Sequence, residues 1–484
     1  MTAPASTPAT TTPPQPFPKV FWHANVTELF ERAAYYSVAS FVVIYLGQLG
    51  LGKSWPSNLN GFLWFLVYFL PILSGTIADQ VGFRRSLLVA CGLLACGYVL
   101  MGSPVWFFGA VLNPAIGDEM VAPASTLAPI LLGILLIGIG GSVVKPCISG
   151  TVQKSNVGRA TLAFAIFYMV INIGSLVGRV VAYFVRGGPS NTAPTPESAA
   201  RLSFIFAVGA VAALVAFATV ALLYRDPDQA PGTPTKPKKS IGEILLGMVL
   251  VLKNRRFLLF LLVSSGFWFL YNQVYNVLPL YTKRTLEANP AMDLYTAANP
   301  LTIVVFQLLI TRAFGKMKPI RSIVVGTVII ALSMVANLVP VLIAGGPRMV
   351  LADWIPIGSL FIMLTVALIA FGELFTSPRT FEWIGSLAPK GQEGLFLGYA
   401  NLPMAIGSLI GGPVGAWIFN DVMARDAQKL DNGLLSLNPG SATTGWLILM
   451  GIGFASALSM WLYNVWLERQ LAADRAASTS PAGS

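Results

Sequence analysis

Long apolar segments recur along the whole chain, and short polar segments separate them. Each apolar segment has about 20 residues, the length that an α-helix needs to cross roughly 30 Å of hydrocarbon. The pattern predicts about twelve membrane spans, approximately at residues 20–49, 58–79, 86–103, 127–149, 160–186, 201–224, 256–281, 297–316, 320–344, 355–386, 393–420 and 443–467. The predicted fold class is therefore an all-α membrane protein.

The longest clearly polar segment, residues 226–240 (DPDQAPGTPTKPKKS), lies between the sixth and seventh predicted spans. It divides the chain into a six-helix bundle at 20–225 and a second at 256–467. The linker between them, 226–255, includes an amphipathic stretch from Ile241 to Lys253 that is expected to lie on the membrane surface.

The two chain tails, 1–19 and 468–484, are predicted to lie outside the membrane. Met1–Pro18 is rich in Pro, Thr and Ala and lacks the basic and apolar regions of a signal peptide. We expect this segment, and the residues after about Ala472, to be disordered.

The composition supports a membrane protein, because 55% of the 484 residues are hydrophobic and only 11% are charged. A soluble domain has roughly 25% charged residues. His23 is the only histidine, which excludes a multi-histidine metal centre. Cys91, Cys96 and Cys147 fall in apolar spans and are predicted to be reduced thiols. We expect no metal and no cofactor other than protons.

Basic residues are distributed unequally between the two ends of the predicted bundle, which sets the orientation in the membrane. One end has Lys53, Arg186, Arg201, Lys283, Arg284, Arg348, Arg425 and Lys429. The other has Arg84, Arg85, Lys154, Arg159, Arg225, Lys236, Lys238, Lys239, Lys253, Arg255, Arg256, Lys316, Lys318, Arg321, Arg379 and Lys390. The richer end is predicted to be cytoplasmic, with both termini, in a bacterial inner membrane. This bias accounts for the net charge of +11 without a nucleic-acid partner.

The turn between the second and third predicted spans has the sequence GTIADQVGFRR (residues 75–85). It resembles the cytoplasmic loop of the major facilitator superfamily, whose two six-helix halves hold substrate between them. Asp79 can pair with basic residues such as Arg84 and Arg85 and hold an inner gate closed. The alternative, simple anchoring of the loop, explains the arginines but not the acid. The matching segment of the second half, residues 312–321, keeps the basic residues without the acid.

The first span has the densest group of ionisable residues, and their spacing places them on one helix face. These residues are Glu28, Glu31, Arg32, Tyr35 and Tyr36. Glu28 and Arg32 have the spacing of an i,i+4 ion pair. Two acids compete for one base, so one acid should bind a proton readily, as proton coupling requires. A structural ion pair is the alternative interpretation.

Further polar residues lie within other spans, where each needs a partner or a water-filled cavity. In the first half these are Lys145, Tyr168, Asn172 and Arg179, whose side chain could extend toward the membrane surface. In the second half they include Trp268, Asn272, Asn299 and Glu373, followed by Pro378, which is typical of a bent gating helix or of an ordinary packing kink. A substrate site with bases in one half and an acid in the other suits a zwitterion.

Several of these segments resemble motifs of the proton-dependent oligopeptide transporter family. The matching segments are ELFERAAYY (28–36), GGSVVKPC (140–147), FYMVINIGSL (167–176), Asn299-Pro300 and GELFTSP (372–378). The resemblance implies proton symport of di- and tripeptides by alternating access. It also implies that Glu28, Glu31 and Arg32 couple protons. The implied substrate contacts are Tyr35, Tyr36, Tyr68, Lys145, Asn172, Asn299 and Glu373.

Two positions depart from the family pattern. Ala33 stands where the family usually has Phe, and Asn272 stands in FWFLYNQ (267–273) where a Glu is common. The family's Glu is thought to pair with the lysine that corresponds to Lys145. Its absence leaves open a carrier of the same fold for an anionic or non-peptide solute.

Two further classes are less favoured. A non-transporting membrane sensor would need a large soluble output domain, and we identify none. An enzyme would need a nucleophile–base pair or a metal site, and the buried polar residues offer neither. We expect a monomer whose partners are a small-molecule substrate and the lipid bilayer.

Overall fold

The computed structural model describes residues 16–155, 159–187, 195–227, 240–343, 345–351, 355–387 and 399–479, and these residues form an almost entirely helical bundle. The predicted disordered tail up to residue 15 lies outside the described residues. So does most of the predicted central linker, from 228 to 239.

The helices of the first part of the chain are α1 (Lys19–Val38), α2 (Val42–Gln48), α3 (Trp55–Phe69), α4 (Pro71–Val81), α5 (Phe83–Trp106), α6 (Ala124–Lys154), α7 (Ala160–Val185), α8 (Pro196–Ala200) and α9 (Phe204–Leu222). Those that follow are α10 (Ile241–Leu252), α11 (Arg255–Asn272), α12 (Val277–Tyr281), α13 (Met292–Phe314), α14 (Pro319–Ser333), α15 (Leu338–Leu342), α16 (Ile357–Leu387), α17 (Leu402–Trp417) and α18 (Pro439–Thr479). Two short antiparallel hairpins pair β1 (Val350–Leu351) with β2 (Ile355–Pro356) and β3 (Gln428–Lys429) with β4 (Leu435–Ser436).

The described residues contain eleven helical segments that are long and apolar enough to cross a membrane. The pair α1–α2, bent by 44°, makes a twelfth. The twelve-span prediction is confirmed, and the chain is a multi-pass membrane protein. With an even number of spans, the first and the last described residues lie at one end of the bundle. We call this the Arg84 end, after the α4–α5 turn, and the opposite end the Arg186 end, after the last turn of α7.

Local sequence explains where the spans break or continue. Pro71 begins α4 directly after Leu70, so the second span consists of two helices. Gly82 separates α4 from α5 with a φ of 99°, a value that a residue with a Cβ rarely adopts. At Pro378, by contrast, α16 continues without interruption.

Packing is dense within each half of the chain. In the first half α1 lies against α7 and α9, and α5 lies against α6 and α9. In the second half α14 lies against α16 and α18, and α11 lies against α17. The two halves meet mainly where α3 contacts α17 and where α7 contacts α13. Functional residues on α1, α6 and α7 can therefore face residues on α11, α13 and α16.

Two expectations for segments outside the spans have clear outcomes. The amphipathic stretch is a helix, α10, which begins with a capping box between Ser240 and Glu243. The disorder predicted after Ala472 is wrong for residues 473–479, because α18 continues to Thr479. Asp474, in this extension, accepts a hydrogen bond of 2.6 Å from Arg256 at the start of α11. The last helix is thereby tied to the second half beyond the apolar segment.

Candidate functional site

The ionic cluster of α1 is buried, and its arginine is shared unequally between the two acids. Arg32 donates from Nε to Glu31 Oε2 at 2.5 Å and from Nη2 to Glu31 Oε1 at 2.7 Å. Its Nε is also 3.5 Å from Glu28 Oε1, so the expected i,i+4 ion pair exists but is the longer one. Neither oxygen of the fully buried Glu28 has a hydrogen-bond partner among the described residues. Because a buried carboxylate without hydrogen bonds is unfavourable, Glu28 is the acid better suited to take a proton.

Aromatic rings connect this cluster to the second half. The guanidinium carbon of Arg32 is 5.4 Å from the centre of the Tyr35 ring, and Tyr35 contacts Trp64 of α3. Trp64 packs against both Tyr68 and Tyr275, with ring centres 5.5 and 4.6 Å apart. The contact between Trp64 and Tyr275 crosses from one half to the other, so these rings form one wall at the interface.

Lys145 lies on α6, directly before Pro146. Its side chain is partly exposed, and its ammonium makes no hydrogen bond or ion pair with another described residue. The charged groups near enough to interact with it are Glu28, Glu31, Arg32 and Glu373. Lys145 therefore lies within electrostatic reach of both the α1 cluster and the acid of the opposite half, and its three donors remain available.

Tyr168 and Asn172 lie one turn apart on α7, as the sequence predicts. The Asn172 side-chain amide donates to the Tyr168 carbonyl at 2.9 Å. The Tyr168 side chain, 40% exposed, is near enough to Tyr36 and Glu373 for electrostatic interaction. Both halves thus contribute to the surroundings of this tyrosine.

The second half contributes Glu373 on α16, and Asn299 on α13 donates to its Oε2 at 3.3 Å. Lys145 and Tyr271 are also close to this carboxyl group. Trp268 packs edge-on against Tyr271, and its buried indole N–H has no partner among the described residues. An acid with a neutral amide partner, beside an unused N–H donor, can receive a polar ligand.

Asn272 does not face Lys145. Its amide nitrogen donates to the Ser408 hydroxyl of α17 at 3.1 Å, and its amide oxygen accepts a hydrogen bond from Asn276. The Asn276 oxygen in turn accepts from Asn60 of α3 at 3.1 Å. This series of neutral groups crosses between the halves, so the substitution builds part of the interface and leaves Lys145 without that partner.

A buried ion pair joins α7 to α13 at the Arg186 end. Arg186 Nε and Nη2 donate to the two carboxylate oxygens of Asp293 at 2.8 and 2.9 Å, and both side chains are at most 2% exposed. Because the two residues belong to opposite halves, this bidentate pair holds the halves together at that end.

The prediction that Arg179 extends toward the membrane surface is wrong, because its side chain is only 1% exposed. It donates from Nε to the Thr296 hydroxyl at 3.0 Å and from Nη2 to the Tyr275 hydroxyl at 3.3 Å, both in the other half. Thr296 also shares a 2.7 Å hydrogen bond with Ser40 at the end of α1. The interface between α7 and α13 thus encloses two arginines.

Two further hydrogen bonds between the halves also lie at the Arg186 end. Asn420 donates to the Lys53 carbonyl at 3.0 Å, and Arg284 donates to Asp118 at 3.1 Å. The site between the halves is therefore closed toward this end. Lys145, Tyr168 and Glu373 retain exposed surface.

The predicted gate residues at the Arg84 end have contacts within the first half. The Arg84 backbone N–H donates to Asp226 at 2.7 Å, and its side chain donates to the Ala221 carbonyl at 2.8 Å. Arg85 is exposed, and the side chain of Asp79 lies outside the described residues. The gating role of these residues and of Pro378 stays a prediction.

Sequence reasoning missed the residues that complete the interface, notably Trp64, Ser40, Asp293 and Thr296. A charged residue so close to an apolar span, as Asp293 is, was the one available signal. The hydroxyl and aromatic residues gave none, because such residues also occur at ordinary helix contacts.

Comparison with known proteins identifies the family. The profile described as Major Facilitator Superfamily matches residues 106–412. The chain is 22% identical over 457 residues to Dipeptide and tripeptide permease A of Klebsiella pneumoniae, which covers 82% of this chain and 83% of the permease. Peptide transporter family 1 of Drosophila melanogaster is 34% identical over 181 residues, and Solute carrier family 15 member 2 of Danio rerio is 29% identical over 171 residues. The chain spans only 23% and 22% of the length of these two animal relatives.

Solved structures share the fold. A structure described as a POT family transporter in complex with 5-aminolevulinic acid has a TM-score of 0.69 at 18% identity, with 92% of this chain and 96% of that chain covered. A peptide transporter POT in complex with sulfate also has a TM-score of 0.69, at 19% identity, with 95% and 97% covered. The major facilitator fold and the resemblance to peptide transporters are confirmed.

Proposed function

Because this chain belongs to the major facilitator superfamily, we propose that it is a proton-coupled symporter that imports di- and tripeptides by alternating access. The observation that carries the proposal is the arrangement of opposite charges across the interface. Lys145 on α6 and Glu373 on α16 lie within electrostatic reach of each other from opposite halves. Glu28, whose oxygens have no hydrogen-bond partner among the described residues, is also within reach of the lysine.

A short peptide matches these groups because it is a zwitterion. Its amine would bind Glu373, beside the Asn299 amide, and its carboxylate would bind Lys145, with Arg32 as a second cation. Tyr36, Tyr68, Tyr168 and Trp268 would contact the peptide backbone and side chains through rings and polar edges. These groups tolerate many side chains, because rings and hydroxyls contact peptides without requiring one shape.

Proton coupling would depend on the α1 cluster. With Glu31 engaged by the Arg32 fork, Glu28 is the carboxyl that exchanges a proton. Its charge lies within electrostatic reach of Lys145. Protonation of Glu28 would therefore strengthen the lysine's attraction for a substrate carboxylate, and this links proton and substrate.

Alternating access would require opening the contacts that join the halves at the Arg186 end and forming others at the Arg84 end. The basic-residue bias supports an orientation with the Arg84 end and both termini in the cytoplasm of a bacterial cell. In this orientation the contacts at the Arg186 end close the described state toward the outside. We propose a plasma-membrane location and a monomeric carrier that uses protons and no other cofactor.

A second candidate is a carrier of the same fold for an anionic or non-peptide solute. The hydrogen bond from Asn272 to Ser408 favours it, because Lys145 then has no fixed anionic partner and is available for the anion of a substrate.

Uptake of labelled dialanine by proteoliposomes under an inward proton gradient tests the main proposal. We expect accumulation that disappears when an ionophore abolishes the gradient. Peptides of two and three residues should compete, and free alanine should not. The second candidate would be favoured if folded protein took up no dialanine and if peptides did not inhibit its uptake of another solute.

A further inference from the structure

Arg179 is a buried cation without an anion. Its described partners are the Ser175 carbonyl and hydroxyl, the Thr296 hydroxyl and the Tyr275 hydroxyl, all of them neutral. Its guanidinium carbon also lies 4.4 Å from the centre of the Tyr36 ring. An unneutralised charge at this depth is costly, and such residues in membrane proteins commonly serve function.

The position of Arg179 lies on the route between the site and the Arg186 end. It follows Asn172 by seven residues on α7 and precedes Arg186 by seven, so each step is two turns, about 10 Å. Its contact with Tyr36 places it against a residue of the proposed substrate site. Arg186 has Asp293 as its partner, whereas the groups of the other half that Arg179 contacts are hydroxyls, one on α13 and one just after α11. Separation of α7 from α13 would remove these neutral partners and uncover the guanidinium toward the site.

The charges around the site balance only when Arg179 is included. The helices α1, α6, α7 and α16 supply three acids and three bases: Glu28, Glu31, Glu373, Arg32, Lys145 and Arg179. With every group ionised the sum is zero, and one bound proton leaves a charge of +1. A zwitterionic substrate does not remove that excess, whereas a substrate with a net charge of −1 does. Because net charge is unfavourable in a low-dielectric interior, the proton and a monoanion suit each other.

We propose that Arg179 is an anion-recognising residue of the substrate site, covered while α7 lies against α13 and uncovered when the halves separate there. The carrier then prefers substrates with a net negative charge, such as dipeptides with one acidic side chain. This inference rests on the proposed transport function and narrows its substrate class.

The test compares alanylglutamate, dialanine and alanyl-lysine in proteoliposomes, as labelled substrates and at saturating gradient. We expect wild type to have the lowest half-saturation concentration for alanylglutamate. Arg179→Gln should raise that concentration about tenfold, the effect of one charge-assisted hydrogen bond. The half-saturation concentration for dialanine should change by less than about twofold. Arg179→Lys should retain most of the preference, because it retains the charge.

Thr296→Val is the matched control, because it removes one neutral partner of Arg179 in the other half and leaves the cation. If Arg179 serves only to hold the halves together, Thr296→Val and Arg179→Gln should change all three dipeptides alike, which would overturn the proposal. A wild type without preference for alanylglutamate would overturn it as well, and this measurement stands even if Arg179→Gln does not fold.

A failure of the proposed peptide transport can be distinguished from a failure of anion recognition by Arg179. If wild type transports none of the three dipeptides, acetate, lactate and succinate can be tested with a pH-sensitive dye inside the vesicles. Anion-driven acidification by wild type that Arg179→Gln lacks would support anion recognition without peptides. No anion-dependent acidification beyond that of protein-free vesicles would overturn the inference.

Discussion

Replacing Glu28 with glutamine should uncouple transport from the proton gradient. The side chain is fully buried, and neither of its oxygens has a hydrogen-bond partner among the described residues. Glutamine has nearly the same shape and cannot take up or release a proton. The variant should therefore still bind and exchange substrate, while the gradient no longer drives net accumulation.

The magnitude follows from the energy of one proton. A gradient of one pH unit supplies 1.36 kcal/mol per proton, which supports about tenfold accumulation of a substrate carried with one proton. We expect Glu28→Gln to lower this ratio to about 1. Folding should change little, because Arg32 keeps its bonds of 2.5 and 2.7 Å to Glu31.

Glu31→Gln is the matched comparison, since it also removes one carboxyl from α1. It breaks the bidentate pair, and Arg32 must turn to Glu28, whose Oε1 lies 3.5 Å from its Nε. We expect a loss of about 1.5–3 kcal/mol in the free energy of unfolding, the value of a hydrogen bond to a charged group. Glu28→Gln should not show this loss.

Two assays on the same proteoliposomes separate the effects. Net uptake of dialanine is measured with pH 6 outside and pH 7 inside, at clamped membrane potential, and exchange is measured at equal pH. The reasoning would be refuted if Glu28→Gln still accumulated substrate about tenfold. It would also be refuted if exchange were lost along with accumulation in a variant with the wild-type unfolding midpoint.

Three further predictions concern the second half and the Arg186 end. In competition assays, Glu373→Gln should weaken the binding of dialanine much more than that of N-acetylated dialanine, because only the free amine needs the carboxylate that Asn299 orients. An equal loss of affinity for both peptides would exclude this role. Asp293→Asn should lower the free energy of unfolding by about 3–5 kcal/mol, because it removes the carboxylate that neutralises the buried Arg186. In denaturation experiments, adding Arg186→Gln should cost less than the sum of the two single changes. Burial raises the pKa of Glu287, which lies between two spans. Between the ordinary glutamate pKa and the raised one, the folded state therefore binds more protons than the unfolded state. Stability should fall as the pH rises through this range. Glu287→Gln should remove this decline in thermal midpoints measured from pH 4 to 8, and an unchanged slope would assign it to another group.

The segments and charges of this protein could be predicted well from its sequence. Apolar runs have a length that matches the bilayer, and few other structures can hold them, so the spans are predicted within several residues. The bend between α1 and α2 and the extension of α18 to Thr479 were not predicted. The extension of α18 brings Asp474 into contact with Arg256, a residue distant in the chain.

The candidate site could be predicted as a set of residues but not as a set of partners. Helical spacing places Glu28, Glu31 and Arg32 together and allows either acid to pair with the arginine. The structure selects Glu31 for the bidentate bonds. The notable polar residues of the seventh span were identified, yet the partner of Asn272 is Ser408, a serine with no distinguishing pattern.

The sequence by itself determined that the chain spans a membrane in two halves and that acids and bases are placed within those spans, because hydrophobic length and helical period are local properties. Only the tertiary structure decided which of those charges are neutralised. Arg186, directly after α7, has Asp293 across the interface, while Arg179, within α7, has only neutral partners among the described residues. That difference arises from how α7 lies against α13, and contacts between helices far apart in the chain depend on the packing of the whole bundle.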